Sequence, residues 1–211
     1  FYNTVGVIIK QTLNTTTTQI NLLDANTQPG VTNIPFTLYD HASRKMLYNF
    51  IHTLNEKGNP DTLYLDPVGV YDIELHTIPA IRKENVELTA GKHNIIAIDV
   101  PLAPFSLSCL QANYSNNDAQ LVMRTPVQKT LNVQDLNTTE NYLKGDCRLQ
   151  LLTTPPVYFD TSLQAFADNT WVVSHYGTLS IMSERSCLVS IYAGKKMVER
   201  LEWKGKTMNR K

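Results

Sequence analysis

The chain has 211 residues, with 19 Lys and Arg balancing 19 Asp and Glu, 42% apolar and 18% charged residues. Zero net charge argues against a nucleic-acid partner, which calls for a basic stripe. No apolar run is long enough to span a bilayer as a helix. Asn, Thr, Ser and Gln make up for a charged content below the usual quarter. With many Val, Ile, Tyr and Thr, this mix favours strands over helices.

The chain opens Phe1-Tyr2, without an initiator Met or a leader, so it is expected to be a mature or excised fragment. Val5–Ile9 reads as a short apolar strand and Asn14–Thr18 as a polar turn. Gln19–Leu23 is a strand, followed by the turn Asp24-Ala-Asn-Thr-Gln-Pro-Gly30. Ile34–Tyr39 alternates as a strand does. Residues 44–54 suit helix or strand, and the context favours strand. Leu63–Leu65 precedes the turn Asp66-Pro-Val-Gly69. In the next strand Tyr71, Ile73, Leu75 and Thr77 share one face, and Asp72, Glu74 and His76 the other. His93–Ile98 is a further strand. Pro101 and Pro104 then mark a boundary. Beyond it, Phe105–Cys109, Ala119–Arg124, Thr130–Val133, Cys147–Leu152 and Asn169–Val173 read as strands.

Part of this pattern occurs twice. Gly69-Val-Tyr-Asp-Ile-Glu-Leu-His-Thr-Ile-Pro79 returns 76 residues later as Gly145-Asp-Cys-Arg-Leu-Gln-Leu-Leu-Thr-Thr-Pro155. At the same offset Ile95-Ile96-Ala97 falls on Trp171-Val172-Val173. After Gly177 the pattern restarts: Leu179-Ser-Ile181 resembles Leu107-Ser108, and Leu188–Tyr192 resembles Leu121–Arg124. Short strands separated by turn signals predict sandwiches, and a period of this length predicts an array. The expected fold is all-β, in tandem immunoglobulin-like or prealbumin-like β-sandwich modules. Module one covers 1–101 and module two 102–176. Residues 177–211 either start a third module, cut short before its Gly-x-Tyr strand, or supply strands that complete module two.

Ile34-Pro-Phe-Thr-Leu-Tyr39, Leu65-Asp-Pro-Val-Gly-Val-Tyr-Asp-Ile73 and Glu87-Leu-Thr-Ala-Gly91 resemble the transthyretin-like, or carboxypeptidase-regulatory-like, family of β-sandwiches. Gly69–Pro79 and Gly91–Asp99 are also similar to β-rich regions that accompany von Willebrand factor A domains in bacterial surface or periplasmic proteins. The Asp-x-Ser-x-Ser signature of the A domain is absent here. These resemblances imply an extracytoplasmic location, a protein partner such as an A domain in the same longer chain, and scaffolding, adhesion or complex assembly.

The chain contains no Gly-x-Ser-x-Gly, P-loop, His-Glu-x-x-His or Gly-x-Gly-x-x-Gly. Three cysteines have no metal spacing. Cys147 replaces Tyr71 at an inward position and reads as a buried thiol, and a Cys109–Cys147 bridge within one module is the alternative. Asp72, Glu74 and His76, with His93 nearby if their strands pair, are the best polar cluster. Strand residues two apart are about 6.5–7 Å apart, so a solvated face is expected rather than a metal site. Asp24–Gly30 begins like an EF-hand but lacks its later Gly and Glu. Asn14, Asn113 and Asn137 open glycosylation triplets that matter only in a eukaryotic secretory host. Lys195, Lys196, Arg200, Lys204, Lys206, Arg210 and Lys211 form a basic end, read as a lysine-protected exposed strand with Leu201 and Trp203 alternating with charges, or as a frayed terminus, with a basic tail for an acidic partner the alternative. Tyr158, Phe159 and Trp171 are candidate sugar or partner contacts, with core packing the default for Trp171.

The expected function is therefore non-catalytic: a structural or interaction segment of a larger extracytoplasmic bacterial protein, engaging a protein by strand addition or docking. A carbohydrate-binding accessory module is the alternative, and an enzyme with a site between modules ranks third. No cofactor is expected.

Overall fold

The computed structural model describes residues 15–109, 119–153, 155–173, 179–204 and 208–210. The segment Val5–Ile9, Asn14, Asn113, Gly177, Lys206 and Lys211 lie outside them. All regular structure among the described residues is strand. The chain divides into two compact units, one ending at Val100, the other running on from Pro101 and also taking Thr77–Pro79.

The first unit is a two-sheet sandwich. Its strands are β1 (Thr17–Leu23), β2 (Ile34–Asp40), β3 (Met46–His52), β4 (Thr62–Leu63), β5 (Val70–Leu75), β6 (Ile81–Glu87) and β7 (His93–Asp99). One sheet has the order β4-β1-β7, with β1 and β7 parallel from Thr17↔His93 to Leu23↔Asp99. The other is β3-β2-β5-β6, antiparallel throughout. Ile20, Leu22, Phe36, Leu38, Ile73, Leu75, Ile96 and Ile98 are buried, each at the alternate positions that a half-buried strand directs inward. Burying such side chains contributes about 1.5–3 kcal/mol apiece. Within the segment 44–54, Met46–His52 is strand because its Phe50 and His52 pair across to Phe36 and Ile34. His93 is far from the pairing expected of it: β7 lies beside β1, and β5 lies between β2 and β6.

The second unit repeats this plan. β8 (Leu102–Cys109), β9 (Gln120–Arg124), β10 (Thr130–Asp135), β11 (Thr138–Leu143), β12 (Gly145–Leu151), β13 (Val157–Leu163) and β14 (Asn169–Val173) form sheets β11-β8-β14 and β10-β9-β12-β13. The last strand again runs parallel to the first. Phe105, Leu107, Leu121, Met123, Tyr142, Leu149 and Leu151 form its core. The strands β6, β11 and β13 were not expected; β6 carries Arg82-Lys83-Glu84 and β11 Thr138-Thr-Glu140, polar runs that lack an apolar period. The remaining strands are β15 (Leu179–Ile181), β16 (Cys187–Ala193), β17 (Lys196–Trp203) and β18 (Met208–Arg210). β15 pairs antiparallel with β18, and β16 with β17. These are the pairings of β1 with β4 and β2 with β3, so the first four strands of the module occur a third time.

The Gly-x-Tyr opening of β5 has a steric cause. Tyr71 folds its ring back over Gly69 and donates its hydroxyl to the Asp66 carbonyl at 2.9 Å. A Cβ on Gly69 would stand 2.7 Å from that hydroxyl. In the second copy Cys147 leaves this space open, and Gly145 is needed instead for its φ of +144°.

Candidate functional site

The face that carries Asp72, Glu74 and His76 is solvated only in part: His76 is exposed and Glu74 half-buried. Asp72 is 6% exposed, because the turn between β2 and β3 and a bulge in β6 close over it. In that turn Asp40 accepts the Ser43 N–H at 2.8 Å, and Arg44 adopts φ +59°. The turn thereby presents His41 and Arg44. His41 Nδ1 lies 2.6 Å from Asp72 Oδ1, and the Arg44 guanidinium donates to Oδ2. The pairing of β5 with β6 shifts between Tyr71 and Ile73. The extra residue of that bulge, Asn85 at φ +57°, points its backbone N–H at Asp72 Oδ1, 2.9 Å away. Bulges re-aim backbone groups in this way. Burial pushes the Asp72 carboxyl up, but the Asn85 N–H, His41 and Arg44 together outweigh it and hold the carboxyl below its ordinary value. Beside it, Arg82 pairs with Glu74, and Arg44 reaches Glu84 at 3.3 Å. Tyr39, Ile73 and these charges line a cleft of about 440 Å³.

The second unit carries a cleft of about 470 Å³ that overlaps this place at Arg148 and Asp160 but is shifted towards the start of β12, where Asp146, Cys147, Thr161 and Ser162 line it. Arg148 stands where Asp72 stood and forms a two-pronged pair with Asp160, at 2.6 and 2.8 Å. The bulge is missing: β12 and β13 pair without a break from Gly145↔Leu163 to Leu151↔Val157. Arg148 needs no extra N–H donor, so the reversal of charge and the loss of the bulge go together. The offset between copies accordingly drops from 76 to 75 after the bulge. Leu88 and Asn94 thus correspond to Leu163 and Asn169, and Trp171 corresponds to Ile96, not to Ile95. A one-residue slip exchanges faces: Ile95 is 60% exposed and Ile96 is buried.

Of the aromatic candidates, the fold brings two together. Phe159 and Trp171 stack with centroids 5.7 Å apart and planes at 25°, and Trp171 also packs on the core. Tyr158, 58% exposed, points to the opposite face of β13. With Val157 and Phe159 it makes β13 an edge strand that is apolar up to Asp160. β3 is a second such edge, with Met46, Tyr48 and Ile51 about half exposed or more and no charge along its length. By contrast the opposite edge of that sheet, β6, carries Arg82, Lys83 and Glu84.

All three cysteines are free thiols, so the Cys109–Cys147 bridge is not formed. Cys109 ends β8 beside Asn137, at the end of the sandwich where β9 begins at Gln120. Cys147 lies next to Arg148, which pairs with Arg124 at the other end of β9. Four strand residues separate these ends, about 13 Å, twice the reach of a disulfide. Burial pushes the Cys147 thiol up to about 11. Asp24 is a turn residue that accepts the Asn26 and Gln28 N–H groups. His76 and His93 each bond a threonine hydroxyl, Thr37 and Thr17. No group of three metal-ligating side chains converges among the described residues.

The residues missed from sequence are Asn94 and Asn169. The Asn94 carboxamide accepts the Thr89 N–H and donates to Thr17, Thr89 and Lys92 carbonyls. Asn169 repeats this with Gln164 N–H and the Pro104, Gln164 and Ala167 carbonyls. Each holds the last strand to the first. The signal was present in Leu88-Thr-Ala-Gly-Lys-His-Asn94 and Leu163-Gln-Ala-Phe-Ala-Asp-Asn169, hidden by the single-residue change of offset.

No protein-family model matches the chain, and no curated protein matches it. Among solved structures, the Bacillus anthracis TIE protein aligns over 75% of this chain and 33% of its own length, with 13% identity and a TM-score of 0.31. The minor pilin GBS52 of Streptococcus agalactiae aligns over 75% of this chain and 94% of its own, with 11% identity and a TM-score of 0.37. The chain thus spans about a third of the first of these. The all-β sandwich architecture stands on the strand pairing described above.

Proposed function

We propose that this chain is a non-catalytic structural and protein-interaction segment of a larger extracytoplasmic bacterial protein. The observation that carries this reading is the recurrence of one seven-strand plan twice in a single chain, with the pairings of its first four strands a third time. Repetition builds length and surface, whereas the cleft position held by Asp72 in the first copy is held by Arg148 in the second. The resemblance to transthyretin-like modules and to regions accompanying von Willebrand factor A domains supports the same reading. An A domain in the same longer protein is then a natural partner. The edges β3, which carries no charge, and β13, apolar from Val157 to Phe159, are the surfaces on which a partner strand pairs.

Two measurements test this. Impermeant biotinylation of intact cells of the source organism should label the chain, and labelling only after lysis refutes the location. A photocrosslinking residue at Tyr158 should trap one polypeptide in those cells, while the same residue at Lys83 on the charged edge β6 traps none. Equal trapping at both positions refutes the edge. Retardation on a glycan gel that is lost in Trp171→Ala would instead establish carbohydrate binding.

A further inference from the structure

The turn that leads into β5 contains a labile bond. Asp66-Pro67 is the one Asp-Pro pair of the chain. Its peptide carbonyl, that of Asp66, takes two donors. The Tyr71 hydroxyl donates to it at 2.9 Å, and the Gly69 N–H at 3.2 Å. The second of these closes the reverse turn Asp66–Gly69, with proline at the position its fixed φ suits. The carboxyl is held as well. Asp66 Oδ1 accepts the Val68 N–H at 2.9 Å, an Asx turn that folds the side chain back along the 66–68 backbone. Leu65 and Tyr71 are buried and anchor the turn, while Asp66 and Val68 are exposed, so water reaches it.

Each part bears on one reaction. Donors aimed at a carbonyl oxygen stabilise the oxyanion that forms when its carbon is attacked. The nearest nucleophile is the Asp66 carboxyl itself, which attacks its own main-chain carbonyl without a diffusive encounter. The leaving group is the proline nitrogen, a tertiary amide with no N–H, which accepts a proton more readily than an ordinary peptide nitrogen. The two copies keep these parts together. At the offset of 76 that sets Gly69 on Gly145, Tyr142-Leu143 replaces Asp66-Pro67 and Cys147 replaces Tyr71. The hydroxyl donor and the Asp-Pro bond are both present in the first copy and both absent from the second.

We propose that Asp66-Pro67 is a self-cleaving bond, opened in acid by the Asp66 side chain with the Tyr71 hydroxyl stabilising the oxyanion. The protonated carboxyl attacks the Asp66 carbonyl carbon, and its proton passes to the Pro67 nitrogen. The C–N bond breaks, leaving a cyclic anhydride of the succinic type at Asp66 and a secondary amine at Pro67. One water then opens the anhydride to the two carboxyl groups of a C-terminal aspartate. Nothing is oxidised or reduced, and Tyr71 keeps its proton. Asp40 of β2 and Tyr48 of β3 are the other acidic groups whose charge the Tyr71 hydroxyl feels. The cut falls between β4 and β5, and the sheets bridge it: β5 stays paired with β2, and β7 with β1. The nicked chain therefore stays assembled, with a new terminus at Pro67, until it is denatured. This activity goes beyond the structural reading above and does not depend on it.

The test is incubation of the purified full chain at about pH 4, where an ordinary aspartate is half protonated, followed by denaturing electrophoresis and mass spectrometry. Pieces 1–66 and 67–211 should form at least about tenfold faster than a synthetic peptide of residues 62–73 is cut in the same buffer, and urea should abolish the difference. Tyr71→Phe keeps a ring over Gly69 and removes the donor. It should slow cleavage at least about tenfold, while the amides of β2 and β5 keep their protection from exchange. In heavy-oxygen water the anhydride route labels both carboxyl groups of the new aspartate, whereas direct hydrolysis labels the main-chain one alone. Cleavage of the folded chain no faster than that of the peptide, an unchanged rate in folded Tyr71→Phe, or label confined to the main-chain carboxyl overturns the proposal.

Discussion

Asn169→Ala should open the second unit between its first and last strands. The side chain lies between β8 and β14 and makes four contacts of 2.9–3.1 Å with backbone groups. Its loss leaves the Gln164 N–H and the Pro104 carbonyl without their partner, and each such hydrogen bond contributes about 1 kcal/mol net. Allowing for partial rescue by water, the cost is about 2–3 kcal/mol. Native-state hydrogen exchange of the β8 and β14 amides reports this as opening about 30- to 150-fold more frequent. Asn169→Asp should cost more. The carboxylate keeps the acceptor but turns its second oxygen on three carbonyls, and the deficit should narrow in acid as protonation restores a donor. Asn94→Asp should act in the same way on β1 and β7 of the first unit and leave β8 and β14 unchanged. Exchange within about threefold of wild type in Asn169→Asp at neutral pH would refute the assignment of Asn169 as the tie between the strands.

Gly69→Ala should destabilise the first unit by about 1–3 kcal/mol through overpacking against the Tyr71 ring. Tyr71→Cys, the residue found in the second copy, should remove that cost when combined with it, which a double-mutant cycle of urea midpoints will show. Burial is the main cause that lowers the pKa of His52, partly offset by its contact with the Ile20 carbonyl. The unfolded chain therefore takes up this proton first. The contribution of His52 is complete above about pH 6.5 and is lost as pH falls below that towards the depressed folded value. His52→Leu should flatten the dependence of the unfolding midpoint on pH in that window. Thiol reagents should label exposed Cys187 first and Cys147 only on unfolding; early labelling of Cys147 would contradict its burial.

The all-β class and most strands are legible because inward residues alternate along them, as in Tyr71-Asp-Ile-Glu-Leu75. The repeat is legible for the same reason: Gly69 and Gly145 are required by backbone or close-contact sterics that few other residues satisfy. Legibility fails where an edge strand has no apolar face to display, as in β6, and where one inserted residue changes the offset. The misplacement of Trp171 on Ile95 has that cause, the extra residue at Asn85. Asp72 reads as a solvated residue because its partners, His41, Arg44 and Asn85, are 31, 28 and 13 residues away.

The amino-acid sequence alone determined that this is a repetitive strand protein with inward Ile, Leu and Tyr, because period and steric requirement are local and survive in a linear reading. Only the tertiary structure decided which strands are neighbours. That choice determines that Asp72 is buried and that Cys109 and Cys147 lie at opposite ends of their module. Each of these depends on contacts between residues remote in the chain, whose pairing is set by how two twisted sheets close over a shared core.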